Sequence, residues 1–117
     1  MQQVLLDTNF ILTCIKQKID FFEELGFKGL EILIPKQVIA ELEGLAKQSL
    51  RAKLALKILN SNKFTTIDLK SKNVDQGIIT YSKSKPKTII ATLDEEIKRK
   101  TRSSKLVVMG RKKLEIL

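Results

Sequence analysis

The apolar positions of this chain fall into short runs separated by stretches of helical spacing. Val4-Leu5-Leu6 stops at Asp7-Thr8-Asn9, and a second run, Thr88-Ile89-Ile90-Ala91-Thr92-Leu93-Asp94, ends in Thr and Asp and predicts a strand over 87–93. Short apolar runs with polar ends suit interior strands of a parallel sheet, which are buried on both faces. Leu30 to Ile34, Phe64 to Leu69 and Lys105 to Met109 read as further strands, the first stopped by Pro35 and the last by Gly110. Leu114 to Leu117 reads as an edge strand. Between them the spacing predicts helices over 9–18, 20–25, 36–47, 51–59, 74–83 and 94–102. Gly26 or Gly29 closes the second, and Asn73 is placed to cap the fifth. Strands alternating with helices over short turns predict one α/β domain spanning 1–117, a parallel sheet with helices on both faces. The order of the strands is not written in this pattern.

Composition narrows the chemistry. At 117 residues and 43% hydrophobic content the chain has one real core and too little sequence for two. No histidine is present, which removes imidazole acid–base catalysis and imidazole metal ligation. The one cysteine, Cys14, sits in an apolar pattern and reads as a small core residue. That usage fits a reducing, intracellular setting, and the expected location is cytoplasmic. No run approaches a membrane span, and the start of the chain reads as a strand, so neither a signal peptide nor a transmembrane helix is expected. The 22 basic and 13 acidic residues leave a net charge of +9, which points to a polyanion such as nucleic acid.

Against that basic background four acids stand apart. Asp7 and Asp94 end strands, where ligands of open α/β sheets bind. Two carboxylates delivered to one sheet edge suggest a site for a hard divalent cation. Glu41 borders the apolar face formed by Val38, Leu42 and Leu45, and Asp75 lies in the first turn of its helix. Each has an ordinary reading too. Asp7 and Asp94 suit helix caps, Asp75 suits a helix dipole, and Glu41 suits the edge of a stripe. Glu43, Glu95 and Glu96 read as solvated helix charges.

The ordered set of short motifs resembles a PIN-domain nuclease. The matching pieces are Leu5-Leu6-Asp7-Thr8-Asn9, then Ile34-Pro35-Lys36-Gln37-Val38-Ile39-Ala40-Glu41-Leu42. Val74-Asp75-Gln76-Gly77-Ile78-Ile79 and Ala91-Thr92-Leu93-Asp94-Glu95-Glu96-Ile97-Lys98 follow. The resemblance implies a PIN-like three-layer α/β/α fold with a central parallel sheet. It also implies an endoribonuclease dependent on Mg2+ or Mn2+. It carries Asp7, Glu41, Asp75 and Asp94 onto the family's acidic quartet, with Thr8, Asn9 and Thr92 in supporting positions. Many members place another acid or Asn beside the last Asp. Here Glu95 is the acid directly beside Asp94, and the second metal position depends on whether it turns inward.

RNA contact is expected from basic clusters. One follows Asp94: Lys98, Arg99, Lys100, Arg102, Lys105, Arg111, Lys112 and Lys113. Others are Lys83, Lys85 and Lys87, and Lys47, Arg51, Lys53 and Lys57. Together these are expected to rim the acidic pocket and touch phosphates. The Phe residues lie in apolar patterns and read as core. Two roles fit the resemblance. One is a toxin of the VapC type, with an antitoxin partner. The other is maturation of ribosomal RNA with a ribosome-assembly partner, favoured by the residues from Ala91 to Lys100. A catalytically silent RNA-binding scaffold of the same fold is the alternative. A flavodoxin-like domain is weakened by the missing Gly-rich loop after the first strand. The resemblance also suggests a homodimer, with the Leu-rich helix near Leu50 to Leu59 as its face.

Overall fold

The computed structural model describes residues 1–110 and 113–117. The elements are β1 (Gln3–Leu6), α1 (Thr8–Gln17), α2 (Phe21–Phe27), β2 (Glu31–Pro35), α3 (Lys36–Leu45) and α4 (Leu50–Asn60). Then come β3 (Thr65–Ile67), α5 (Val74–Ser84), β4 (Ile89–Ala91), α6 (Glu95–Lys100), β5 (Lys105–Met109) and β6 (Lys113–Ile116). They form one six-stranded sheet in the order β3-β2-β1-β4-β5-β6. The first five strands pair in parallel, with Val4 opposite Ile32 on one side and Ile89 on the other. β6 alone pairs antiparallel, with Val108 opposite Leu114, and forms an edge.

Alternation along the strands sorts the core into two layers. Val4, Leu6, Ile32, Ile34, Ile89 and Ala91 face one side and pack with α1 to α4. Leu5, Leu33 and Ile90 face the other and pack with Ile78 and Ile79 of α5 and Ile97 of α6. This is the expected three-layer α/β/α arrangement. The central strands are buried on both faces, so their sequences are continuous apolar runs. Cys14 is fully buried, and desolvation lifts its thiol to about 12, so it is a core residue and not a nucleophile. No helix among the described residues is long and apolar enough to cross a membrane.

The chain direction of the sheet changes at β1. Strands β2 and β3 lie to one side of it, and β4 and β5 to the other. The crevice between the carboxyl ends of β1 and β4 is therefore the topological switch point, the place where such sheets bind ligands. Helix caps are local, and that of Asn73 is as expected. Asn73 accepts from the Gln76 amide at 2.9 Å, and Ser49 from the Ala52 amide at 3.2 Å. The expected third strand is shorter than its apolar run. Asp68 and Leu69 leave the sheet because Gln37 of α3 captures them. Its amide donates to Asp68 Oδ1 at 2.7 Å, and its Oε1 accepts from the Leu69 amide at 3.1 Å.

Candidate carboxylate site at the switch point

Asp7 follows β1 directly and occupies the cap position of α1. It is 4% exposed. Its backbone amide donates to the Ala91 carbonyl at 3.0 Å, which ties it to the end of β4. Its carboxylate does not bond the second or third amide of the helix, as a usual cap does. Oδ1 accepts from the Thr8 amide at 2.8 Å, and Oδ2 accepts from Thr92 Oγ1 at 2.9 Å. The same Thr92 oxygen accepts from the Asp94 amide at 3.1 Å. One fully buried threonine thus links both strand ends. It orients the Asp7 carboxylate and positions the backbone of Asp94.

Asp94 caps α6 in the ordinary way. Its Oδ1 accepts from the Glu96 amide at 2.8 Å and the Ile97 amide at 3.3 Å. The cap reading and the site reading both hold, because Asp94 also repels Asp75. Asp75 lies in the first turn of α5, and Glu41 lies on the exposed side of α3. Neither carboxylate accepts a hydrogen bond among the described residues, and both are free to turn.

The four acids act on one another. Burial pushes the Asp7 carboxyl up from its ordinary value. The Thr92 and Thr8 bonds pull it back, and repulsion from Asp75 and Glu41 adds to the rise. Asp75 is also raised, first by desolvation and then by Asp94, Glu41 and Glu96. It is open to solvent on one side, which screens that repulsion. No Lys or Arg pairs with Asp7, Glu41, Asp75 or Asp94 among the described residues. The buried hydroxyl Thr8 Oγ1 also has no partner there. An all-oxygen set with uncompensated negative charge is what a hard divalent cation needs. As the side chains lie, no three acids among the described residues stand close enough to hold an ion. Closing the set requires the unbonded Glu41 and Asp75 to swing toward the fixed Asp7. Asn9 is exposed beside Asp7 and bonds nothing through its side chain among the described residues.

The direction of Glu95, left open by the sequence, is decided, and two sequence readings change here. Glu95 turns outward, 85% exposed at its side chain, and meets Lys98 at 3.4 Å. It does not turn toward Asp94. Glu96, read as a plain surface charge, is near enough to Asp75 to raise it, while Lys100 holds it at 2.7 Å. Lys98 and Lys100 are therefore partly neutralised along their own helix, and Arg99 and Arg102 are exposed cations of that group with no ion pair among the described residues. Finally, Lys85 and Lys87 precede β4, so they lie at the amino edge of the sheet. They do not rim the acids. Arg111 and Lys112, also expected in the basic cluster, lie outside the described residues.

Two further residues position the site, and neither was singled out from sequence. Gln37 anchors the 68–69 backbone, as described. Gly77, one turn into α5, faces that same segment. A Cβ on it would meet Leu69 Cβ at 3.0 Å and Ser71 Cβ at 3.1 Å. The absence of a side chain lets the 69–71 segment close on α5 beside Asp75.

This architecture, with its crevice at the carboxyl ends of β1 and β4, places the chain among the open α/β sheet proteins. The family whose model is described as PIN like domain matches residues 4–113, and the chain belongs to that family. It is 32% identical to Ribonuclease VapC4 of Methanocaldococcus jannaschii, over 93% of this chain and 89% of that protein. It is 34% identical to the rRNA-processing protein fcf1 of Schizosaccharomyces pombe, over 85% of this chain, and spans about half (53%) of that protein's length. Among solved structures it is similar to the PIN domain endonuclease Utp24. That match has a TM-score of 0.82 and 30% identity, and covers 98% of this chain and 92% of that one. VapBC2 of Rickettsia felis, solved bound to a promoter DNA fragment, shares the fold at 16% identity and a TM-score of 0.60, over 91% of this chain and 98% of that one.

Proposed function

We propose that this chain is a divalent-metal-dependent endoribonuclease acting in the cytoplasm. The observation that carries the reading is the buried, uncompensated Asp7 carboxylate, oriented by Thr92 at the switch point and repelled by Asp75 and Glu41. Mg2+ or Mn2+ held by Asp7, Glu41, Asp75 and Asp94 would supply Lewis acidity, a more acidic water and charge for the scissile phosphate. The chain's own work is positional. Thr92 and the Thr8 amide fix both Asp7 oxygens, so one ligand is set before binding. Asp94 Oδ1 is spent on the cap of α6, which leaves Oδ2 for the site. Glu41 and Asp75 close from the two helix layers. The same acids repel the phosphates of RNA, so cleavage has no route without a cation between them. Thr8 Oγ1 and Asn9 support from the start of α1. Arg99 and Arg102, with Lys98 and Lys100, contact RNA phosphates beside the edge. Water attack would leave 5′-phosphate and 3′-hydroxyl ends.

The similarity to fcf1 and Utp24 supports a role in ribosomal RNA processing with an assembly partner. The near full-length match to VapC4 supports a toxin-type ribonuclease with an antitoxin. A homodimer through the exposed Leu50 and Leu54 of α4 is compatible with either.

The test is cleavage of a structured RNA with Mn2+ or Mg2+, wild type against Asp7→Asn. We expect cutting that requires the metal and falls on the order of 10^3-fold in the variant. Products ending in 2′,3′-cyclic phosphate would defeat the water mechanism. RNA bound but left uncut by wild type would leave the silent-scaffold reading.

A further inference from the structure

The amino edge of the sheet, opposite the carboxylates, carries a cleft of about 820 Å3. Its lining includes Gln2, Ser84, Lys85, Lys87, Thr88 and Ser104, and no Asp or Glu. β1, β4 and β5 run parallel, so the residues just before them gather at one edge, and these are such residues. The lysines are held on a rigid support. Lys85-Pro86-Lys87-Thr88 is a β-turn closed by the Thr88 amide donating to the Lys85 carbonyl at 3.0 Å. Proline in its second position fixes the backbone angle that this turn needs. Gln2 Nε2 donates to the Lys87 carbonyl at 3.3 Å and ties the turn to β1.

The two ammonium groups have no acidic partner among the described residues. The C-terminal carbonyls of α5 account for Lys83 in its last turn, but Lys85 and Lys87 lie beyond the helix. Lys105, nearby at the start of β5, is committed inward. Its Nζ donates to the Thr101 and Ser103 carbonyls at 2.6 and 2.5 Å. It adds charge to this edge without being a ligand. The cleft thus offers two lysine cations on a fixed turn and the hydroxyl of Ser104 as donors for a phosphate ester, the Ser84 hydroxyl being spent on the Tyr81 carbonyl at 3.1 Å.

We propose that the Lys85–Thr88 turn and its cleft form a second RNA-contact site, which takes backbone phosphates at the edge opposite the carboxylates. It deepens the ribonuclease reading and rests on it. Lys87 and Asp94 are seven residues apart, which sets their separation at about 25 Å at most. A substrate must be long enough to wrap from one edge to the other. The site therefore selects for long or structured RNA and leaves short oligonucleotides unaffected.

The experiment measures RNA binding in the Asp7→Asn background with EDTA, so that no cutting or metal contributes. Affinity for a long structured RNA is followed against salt, with and without Lys85→Gln and Lys87→Gln. Losing two phosphate contacts is expected to reduce the slope of log K against log salt by about 1.4 to 1.8, at about 0.7 per contact on single strands and about 0.9 on duplex. It should weaken binding about tenfold at low salt. Arginine at both positions should restore binding, which separates charge from misfolding. In the otherwise wild-type chain, the double Gln variant should cut a short oligonucleotide at the wild-type rate. An unchanged salt slope would overturn the proposal. So would inorganic phosphate shifting the Thr88 and Ser104 amide resonances while RNA affinity is untouched, since the cleft would then serve a free anion. Failure of wild type to cut any RNA would remove the ribonuclease reading instead, and the slope is read independently of it.

Discussion

The carboxylate site has two unlike halves. Asp7, Thr92 and Asp94 hang from strand ends and are locked by hydrogen bonds to one another's backbone and side chains. Glu41 and Asp75 hang from helices, open to solvent, with carboxylates that no donor holds among the described residues. Asp7 and Thr92 are buried, Asp94 is half-buried, and all three are fixed before anything binds. The second half is solvated and adjustable. Strands at the centre of a parallel sheet cannot move without breaking ladder bonds on both sides, so they set position accurately. Exposed helix side chains rotate at little cost, so they can follow a cation as it arrives or leaves. For the proposed metal site, the division would give one preset ligand without crowding four charges permanently together.

The sharpest way to break this comparison is at the hinge between the two strand ends. Thr92→Val keeps the shape and removes the hydroxyl. Asp7 Oδ2 loses its donor in a buried place, and the Asp94 amide loses its acceptor in a half-buried one. We expect Mn2+ affinity and RNA cleavage to fall 10- to 100-fold, the usual effect of removing a group that orients a ligand. Thr92→Ser should recover most of it. If Thr92→Val cut as fast as wild type, the strand half would not be preorganised, and the contrast would vanish.

The helix half is tested through its support. Gly77→Ala places a methyl group against Leu69 and Ser71 at contacts as short as 3.0 Å. The backbone conformation of the helix tolerates alanine, and alanine favours helix by up to about 1 kcal/mol. The clash opposes that gain with a cost of about 1–3 kcal/mol. We expect a net loss of about 1 kcal/mol in chemical denaturation and a few-fold drop in cleavage, because α5 shifts and carries Asp75 with it. A variant more stable than wild type would show that the 69–71 segment yields freely and does not set the position of Asp75.

The two halves were also unequally legible in the amino-acid sequence. Buried parallel strands write continuous apolar runs, so Asp7 and Asp94 announce themselves as the residues where those runs stop. The helix-borne acids were found through spacing and through the family resemblance, and their direction could not be read. Glu95 and Glu96 are neighbours in sequence, yet one turns to solvent and the other acts on Asp75. That outcome depends on how α6 packs beside α5, which no local pattern records. The order of strands was hidden for the same reason, and with it the placement of Lys85 and Lys87 at the far edge. Gln37 was invisible because a polar side chain that captures backbone two elements away looks like any surface glutamine.

The smallest effect is on stability, and its size separates the halves. Burial raises the Asp7 carboxyl above its ordinary 3.8, so between those two values the folded chain holds a proton that the unfolded chain has lost. The destabilisation is complete above the folded value and is relieved as pH falls through it toward 3.8. Asp7→Asn removes the charge and keeps an oxygen to accept from Thr8 or Thr92. In EDTA at pH 8 we expect the variant to be more stable than wild type, read as a higher Tm. That advantage should shrink steadily as the pH is lowered toward 4. Asp75→Asn should show the same sign with a smaller size, since solvent already screens that group. Saturating Mn2+ should raise the Tm of wild type and leave Asp7→Asn unmoved, by mass action on a site that only the folded chain presents. Thermal melts over pH 4 to 8 with and without metal read all of this. Should Asp7→Asn gain nothing at pH 8, the bonds from Thr92 and Thr8 already offset the burial. The strand half would then carry no strain for a cation to relieve.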